Sequence, residues 1–406
     1  MPGPLDGLVI LDLSRILAGP TCTQLLGDLG AEVIKIESLE GDDTRQWGPP
    51  FALDAEGNPT DLSAYFMSSN RNKKSVAVDL TDPETQRMLQ ALAGRADVVI
   101  ENFKPGGLRK YGLDHATLCA IYPGLVYCSI SGFGQTGPNR DKPGYDLMAQ
   151  GYGGIMSITG EAPGRPPVKS GAPISDITAG ILGAMGCAAA YARMLTTGEG
   201  QKVDTSLFEA GIVQTYWQSA IAFATGTAPG PMGSAHPLNA PYQAFPTSDG
   251  WITVGAANQK NWLRLLDVLE MAQLRDDPRF ATNDARMAHR EALESVLSDR
   301  TVTRTSSDWL ERMEAAGLPA GPVLDILEMH RDPHARAREM FVETDHPVAG
   351  PTQAIGLPVK FSETPGGIVR PAPLLGQHGR EVLEEAGYAP DQIDALARSG
   401  AVVLGD

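Results

Sequence analysis

The sequence predicts an α/β protein built on a doubly wound, mostly parallel sheet. Three observations carry this. Short β-branched apolar runs recur through the first half of the chain, a helical pattern follows most of them, and Gly or Pro marks the joins. At 406 residues the chain has room for two or three domains. Its net charge of -16 opposes non-specific attraction to nucleic acid or anionic membrane, so any anionic ligand needs a local basic patch.

The first strand is read in Leu8-Val9-Ile10-Leu11-Asp12-Leu13, with a helix after it that Pro20 opens and Gly30 closes. Residues 33–37 form the second strand and 75–80 the third. A helix from Asp82-Pro83-Glu84 to Gly94 leads to strands at 96–102 and 125–131. The first strand-to-helix turn reads Arg15-Ile16-Leu17-Ala18-Gly19-Pro20, so the G-x-G-x-x-G dinucleotide fingerprint is absent, as is a P-loop. The turn still bends at the C-terminal end of a strand, where open α/β sheets bind ligands. Cations gather between Arg71 and Lys142: Arg71, Lys73, Lys74, Lys104, Arg109, Lys110, Arg140 and Lys142. Some are ordinary solvated side chains, and those at strand ends form an expected phosphate-binding patch. Asn102-Phe103-Lys104-Pro105-Gly106 joins an amide, an aromatic face and a cation after a strand, which suits an adenine nucleotide.

Pro173-Ile174-Ser175-Asp176 opens an uncharged segment, 177–192, crowded with Gly and Ala, and Arg193 and Gly198 close it. This is the pattern of a buried helix with an acid at its head. The glycines make sense if another backbone packs close. Asp176 then has two readings: an N-cap, which its position alone favours, or an ionised carboxylate favoured by the helix N-terminus and serving as nucleophile.

Residues 198–207 read as turn, strand and helix start, and 208–225 are apolar and aromatic with Tyr216 and Trp217. The Pro- and Gly-rich stretch 229–241 leads into a second, α+β unit. It has a hairpin across Ser248-Asp249-Gly250 and helices at 261–274, 290–297 and 307–316. From His330 the chain is expected to be irregular until a helical tail at 380–397. The four cysteines, Cys22, Cys119, Cys128 and Cys187, contain no C-x-x-C pair and are expected to be reduced thiols in a cytoplasmic protein. The N-terminus lacks a secretory pattern. The longest apolar run, after Asp176, is shorter than the roughly 20 residues of a span, so no membrane segment is expected. His330 and His334 have metal-like spacing, but Pro333 between them disfavours the helix that would align them, and no metal site is expected. There is no G-x-S-x-G elbow.

Several of these stretches, taken in order, resemble the class III CoA-transferase family, which includes formyl-CoA and carnitine CoA-transferases and has α-methylacyl-CoA racemase as a cousin. They are Leu17-Ala18-Gly19-Pro20, residues 30–37, Asn72-Lys73-Lys74-Ser75, Glu101 to Gly106, Tyr145-Asp146, Asp176, 198–202 and Pro373-Leu374-Leu375-Gly376-Gln377-His378. The resemblance implies a large Rossmann-like domain from both chain ends, 1–225 with 329–406, and a small domain at 226–328. It also implies an interlocked homodimer. Asp176 falls on the family's catalytic aspartate. CoA-binding positions fall on Leu17, Ala18, Val78, Asp79, Leu80, Thr81, Asn102, Phe103, Lys104, Lys110, and Lys142 to Tyr145.

The implied reaction moves CoA from an acyl-CoA to a small carboxylic acid through an anhydride on Asp176, with CoA as co-substrate and no metal. Gly255-Ala256-Ala257-Asn258-Gln259 stands where the formyl enzyme has a glycine run and is a candidate lid, with Gly255, Asn258 and Gln259 at the site; a plain strand-to-helix turn is the equal alternative. Leu17 stands where that enzyme has glutamine, which argues against formate. The segment 232–245 resembles transferases acting between succinyl-CoA and other dicarboxylic acids, and Arg71, Lys169 or His236 could meet a second carboxylate. Two alternatives stay open: racemisation of a 2-methylacyl-CoA, disfavoured because Tyr145 stands where racemases place histidine, and non-catalytic acyl-CoA binding.

Overall fold

The computed structural model describes residues 3–405. The chain opens with β1 (Val9–Asp12), α1 (Ala18–Asp28) and β2 (Glu32–Glu37). A hairpin of β3 (Phe51–Leu53) and β4 (Pro59–Ser63) leads into α2 (Ala64–Ser69). Alternation resumes with β5 (Lys73–Val78), α3 (Pro83–Ala93), β6 (Val98–Glu101), α4 (His115–Ile121) and β7 (Val126–Ser131). Asp82 caps α3 by accepting from the Glu84 and Thr85 amides at 2.7 and 3.1 Å, with Pro83 in the first turn. Next come α5 (Asp146–Tyr152), α6 (Ile155–Ile158), α7 (Ile174–Thr197), β8 (Lys202–Ser206), α8 (Leu207–Val213) and α9 (Tyr216–Thr225). Then follow β9 (Tyr242–Pro246), β10 (Trp251–Gly255), α10 (Gln259–Val268), α11 (Asn283–Ala288), α12 (Arg290–Thr301), α13 (Ser306–Ala315), β11 (Ala320–Pro322) and α14 (Ile326–Arg331). The chain closes with α15 (Pro333–Ala337), β12 (Phe341–His346), β13 (Gly350–Ile355), α16 (Gly379–Glu385), α17 (Pro390–Arg398) and β14 (Val402–Val403).

Among the described residues the main sheet has seven strands in the order β14-β5-β2-β1-β6-β7-β8. All its pairings are parallel except that of β14 on β5. Counting the parallel strands alone, the order is that of a doubly wound Rossmann sheet, which reverses between β1 and β6. Both faces are buried, as a parallel sheet requires. Side chains alternate across it: Leu11, Ile34, Val99 and Tyr127 enter one core with α3, α16 and α17, while Ile10, Val33, Ile100 and Cys128 enter the other with α1 and α7.

The helix expected over 177–192 is longer, 24 residues, and is long and apolar enough to cross a membrane by length and composition. Here its glycines press it onto neighbours. A Cβ on Gly180 would lie 2.8 Å from the Ala18 carbonyl oxygen, and one on Gly183 would lie 2.8 Å from Ile130 Cδ1. Gly198, at φ 73°, ends it in the left-handed conformation.

The chain separates into two compact units. The first takes the chain up to Ile155, then Lys169–Ala220 and everything from Pro333 on; the second takes Met156–Val168 and Ile221–Asp332. Residues 156–168, which the sequence reading assigned to the large domain, join the second unit, where the Gly233 amide donates to the Gly160 carbonyl at 2.9 Å. That unit is built on an antiparallel sheet, β11-β10-β9, over a core of Phe245, Ile252, Trp262, Leu266, Leu297 and Trp309. The region from His330 onward is not irregular as expected. It contains the β12–β13 hairpin, where the Thr344 and Thr352 hydroxyls meet at 2.9 Å, and the edge strand β14. The short alternation in these strands was hidden by the Pro and Gly around it.

Candidate active site

A cleft of about 450 Å³ lies at the C-terminal edge of the first unit's sheet, where the strand order reverses. The turn after β1 contributes Arg15, Ile16, Leu17 and Ala18; the loop after β6 contributes Asn102, Phe103, Lys104 and Lys110. The end of β7 adds Ser131 and Gly132, the loop before α5 adds Arg140, Lys142 and Tyr145, and α7 adds Asp176.

Asp176 is not the cap of its helix. Pro173 occupies the N-cap position without a side-chain bond, and the Ser175 amide donates instead to Asp146 Oδ1 at 2.9 Å. Asp146 is held in turn by Gln150, whose Nε2 donates to its other oxygen at 2.7 Å. Among the described residues no hydrogen bond or ion pair reaches the Asp176 carboxylate. Burial, followed by the like charge of Asp146, pushes its pKa up to about 7. The sequence reading weighs only the helix N-terminus, which favours the ionised form; burial and a second carboxylate act in the opposite direction. Gly180 explains how the acid is placed, because the close approach it permits brings the first turns of α7 against the start of α1.

The turn after β1 is held by one amide side chain and by an exposed ion pair. Asn102 Nδ2 donates to the Arg15 carbonyl at 2.6 Å and its Oδ1 accepts from the Arg15 amide at 3.0 Å, so one side chain clamps the β1 turn across the switch point. The Arg15 guanidinium lies 5.9 Å from the Phe103 ring centroid and pairs with Asp43 at 3.1 Å. Lys142 Nζ donates to the Tyr152 hydroxyl at 3.2 Å. Tyr145 is exposed and makes no side-chain cap for α5.

The expected cation patch divides in two. Lys104, Lys110, Arg140 and Lys142 line the cleft and are exposed. Arg71, Lys73 and Lys74 are buried and taken by carboxylates, Arg71 by Asp28 at 2.6 Å, Lys73 by Asp12 at 3.3 Å, and Lys74 by Glu32, Glu381 and Glu385 at 2.6, 2.8 and 3.1 Å. They are therefore not phosphate ligands, and Arg71 is not free to meet a second carboxylate. Lys169 Nζ donates to the Ser170 carbonyl at 3.1 Å; in the second unit His236 Nδ1 accepts from the Leu238 amide at 3.1 Å. Arg109 lines a separate hollow with Glu101 and His115.

Val78 ends β5 and Asp79, Leu80 and Thr81 follow it, two strands from β1, and none of the four lines the cleft; Asp79 is engaged by the Thr81 amide and hydroxyl at 2.8 and 2.7 Å. Gly255, Asn258 and Gln259 belong to the second unit. Gly255 ends β10, Asn258 caps α10 by accepting from the Asn261 amide at 2.9 Å, and Gln259 Oε1 accepts from Arg286 at 3.0 Å. His330 and His334 sit on separate helices, α14 and α15, that Pro333 divides. No group of three or more His, Cys, Asp or Glu suited to a metal occurs among the described residues.

Sequence reasoning missed Arg15 and Ile16 as lining residues, although they stand in the turn it singled out. Tyr65 does not line the cleft but feels its acid: its phenol is pushed up to about 12 by burial and by the carboxylates of Asp176, Asp42 and Asp146. No local signal marks Tyr65.

A family model described as CoA-transferase family III matches residues 5–379. The succinate–glutarate CoA-transferase of Agrobacterium fabrum is 41% identical over 94% of this chain and 95% of its own. The succinyl-CoA:mesaconate CoA-transferase of Haloarcula hispanica is 39% identical over 95% and 97%. The crystal structure of a CAIB/BAIF family protein from Brucella suis superposes with a TM-score of 0.85 at 42% identity, covering 95% of this chain and all of that one. Because the match runs almost end to end in sequence and over 95% of the chain in fold, this chain belongs to CoA-transferase family III.

Proposed function

We propose that this enzyme exchanges CoA between dicarboxylic acids, with succinyl-CoA as donor and a glutarate-like diacid as acceptor, through covalent intermediates on Asp176. The observation that carries this is a carboxylate without a partner, facing a cleft with exposed cations at the sheet's switch point. An Asp176 oxygen attacks the thioester carbonyl, the C–S bond breaks and CoA leaves as thiolate, forming a mixed anhydride. The thiolate attacks the aspartyl carbonyl and releases succinate. The acceptor carboxylate then attacks the aspartyl thioester and frees the thiolate again. Attack of that thiolate on the new acyl carbonyl yields the product thioester and restores Asp176, so no ATP is consumed. Burial of Asp176 suits this chemistry, since water would hydrolyse the anhydride.

Lys104, Lys110, Arg140 and Lys142 serve the CoA phosphates, while Leu17, Ala18 and Phe103 offer apolar surface to the rest of the molecule. The working form is an interlocked homodimer, a reading supported by large apolar side chains left exposed on α7 and α9, among them Ile181, Met185, Leu195, Trp217 and Phe223. The location is cytoplasmic.

The test is mass spectrometry of the enzyme mixed with succinyl-CoA and hydroxylamine, beside Asp176→Ala. A hydroxamate on the peptide bearing Asp176 supports the proposal. Exchange of the α-proton of a 2-methylacyl-CoA in heavy water without an adduct would make the enzyme a racemase, and CoA binding without turnover would make it a binding protein.

A further inference from the structure

Ile16 stands at φ 71°, a left-handed conformation that a β-branched residue adopts only under constraint. It lies between β1 and α1 and lines the cleft beside Arg15 and Leu17. The constraint is a hydrogen-bonded carboxylate. The Ile16 amide donates to both oxygens of Asp42, at 3.2 and 3.1 Å. Asp42 is itself fixed: Lys35 Nζ donates to its Oδ2 at 2.9 Å, and the amide and hydroxyl of Thr44 donate to its Oδ1 at 3.0 and 2.8 Å. The same Lys35 ammonium donates to the Ser14 carbonyl at 2.9 Å. One buried cation therefore holds the turn on one side of Ile16 and the carboxylate that pins Ile16 itself. Neither Asp42 nor Lys35 lines the cleft.

We propose that Asp42 and Lys35 are positioning residues for acyl-CoA, acting through Ile16: they hold its backbone left-handed and so set the turn that presents Arg15 and Leu17 to the donor. An ion pair that served the fold alone would leave a different trace. Its loss would lower stability without a selective effect on donor binding.

This inference rests on the acyl-CoA reading of the cleft, so the wild-type chain is assayed first with succinyl-CoA. Absence of both binding and turnover ends that reading and this one together; an active wild type puts this inference alone at stake. Asp42→Ala is then expected to raise KM for succinyl-CoA about tenfold, equivalent to about 1.4 kcal/mol of binding, with kcat falling by less. Asp42→Asn keeps an acceptor for the Ile16 amide and is expected to recover most of that loss. Ile16→Gly tests the route, because glycine takes positive φ without help. Adding Asp42→Ala to Ile16→Gly is expected to change KM by about threefold or less, a departure from additivity that identifies coupled sites. Should Asp42→Ala fail to fold, Ile16→Pro, whose φ is locked at about -65° and which has no amide proton, is expected to raise KM by about tenfold or more. An unchanged KM in these variants, or an equal KM penalty with and without Ile16→Gly, overturns the inference.

Discussion

The carboxylate of Asp146 accepts the Ser175 amide at 2.9 Å and so takes the capping role at the start of α7 that Asp176 would otherwise fill. Two acids close together in the chain's active-site region thus have different work. Asp146 is spent on backbone and on Gln150, whereas Asp176 is left half-buried and unpaired, with its proton affinity raised. Such a group is unfavourable for the fold and useful for chemistry.

Replacing Asp176 with Asn is expected to lower transfer by about a thousandfold or more while raising thermal stability. The sign follows from linkage. The folded-state pKa of about 7 lies above the ordinary 3.8, so the folded protein holds the proton more tightly and loses stability as pH rises from one value to the other. The stability advantage of Asp176→Asn should therefore widen from pH 4 to pH 7 and then level off. Thermal melts across that range check it, and a constant gap would refute it.

The acid limb of the kcat/KM profile should have its midpoint near the Asp176 pKa of about 7, because only the ionised acid attacks. Asp146→Asn removes the like charge and retains an acceptor for Ser175, so it should move this midpoint to lower pH. Asp146→Ala also deletes the acceptor and should cost about 0.5–2 kcal/mol of stability.

Neutralising the exposed cations should separate binding from folding. Lys104→Ala and Lys142→Ala are each expected to raise KM for the CoA thioester by about tenfold, with kcat little changed and the effect shrinking at high salt. Arg71→Ala should instead strand the buried Asp28 carboxylate and cost about 3–5 kcal/mol. Steady-state kinetics together with chemical denaturation distinguish the two classes.

Gly180→Ala should destabilise by about 1–3 kcal/mol and also lower kcat. Its Cβ would meet the Ala18 backbone oxygen at 2.8 Å and force α7 away from α1, one turn below Asp176. Gly186→Ala meets a side chain, Val203, at 2.6 Å, and lies about 15 Å along the helix from Asp176. It should affect stability more than kcat. Equal losses of kcat in both variants would contradict the proposed link between this contact and the nucleophile.

The chain announces its parallel sheet because apolar runs and turn residues are short-range signals. Residues 125–131, the Asp82-Pro83 helix start and the hairpin around Ser248-Asp249-Gly250 were all legible in this way. Legible too was a cleft at the turn after the first strand with Asn102, Phe103 and Lys104 beside it, and Asp176 at the head of a glycine-lined helix. The β12–β13 hairpin was not, since its strands are largely polar, half-exposed and without an apolar run, nor was β14, a two-residue strand specified by its pairing with β5 more than by its own pattern. Residue types along the chain likewise named the cations but not their fates. Lys74 is claimed by Glu381 and Glu385 from the far end of the chain and Arg71 by Asp28, while Lys104 and Lys142 stay exposed at the cleft without a carboxylate partner among the described residues. Only the tertiary structure decided those pairings, and only it freed Asp176 by bringing Asp146 to the Ser175 amide. The range of the forces is the reason: propensity and periodicity act over a few residues and can be read from order, whereas burial and charge pairing depend on which distant segments the topology brings within a few ångströms.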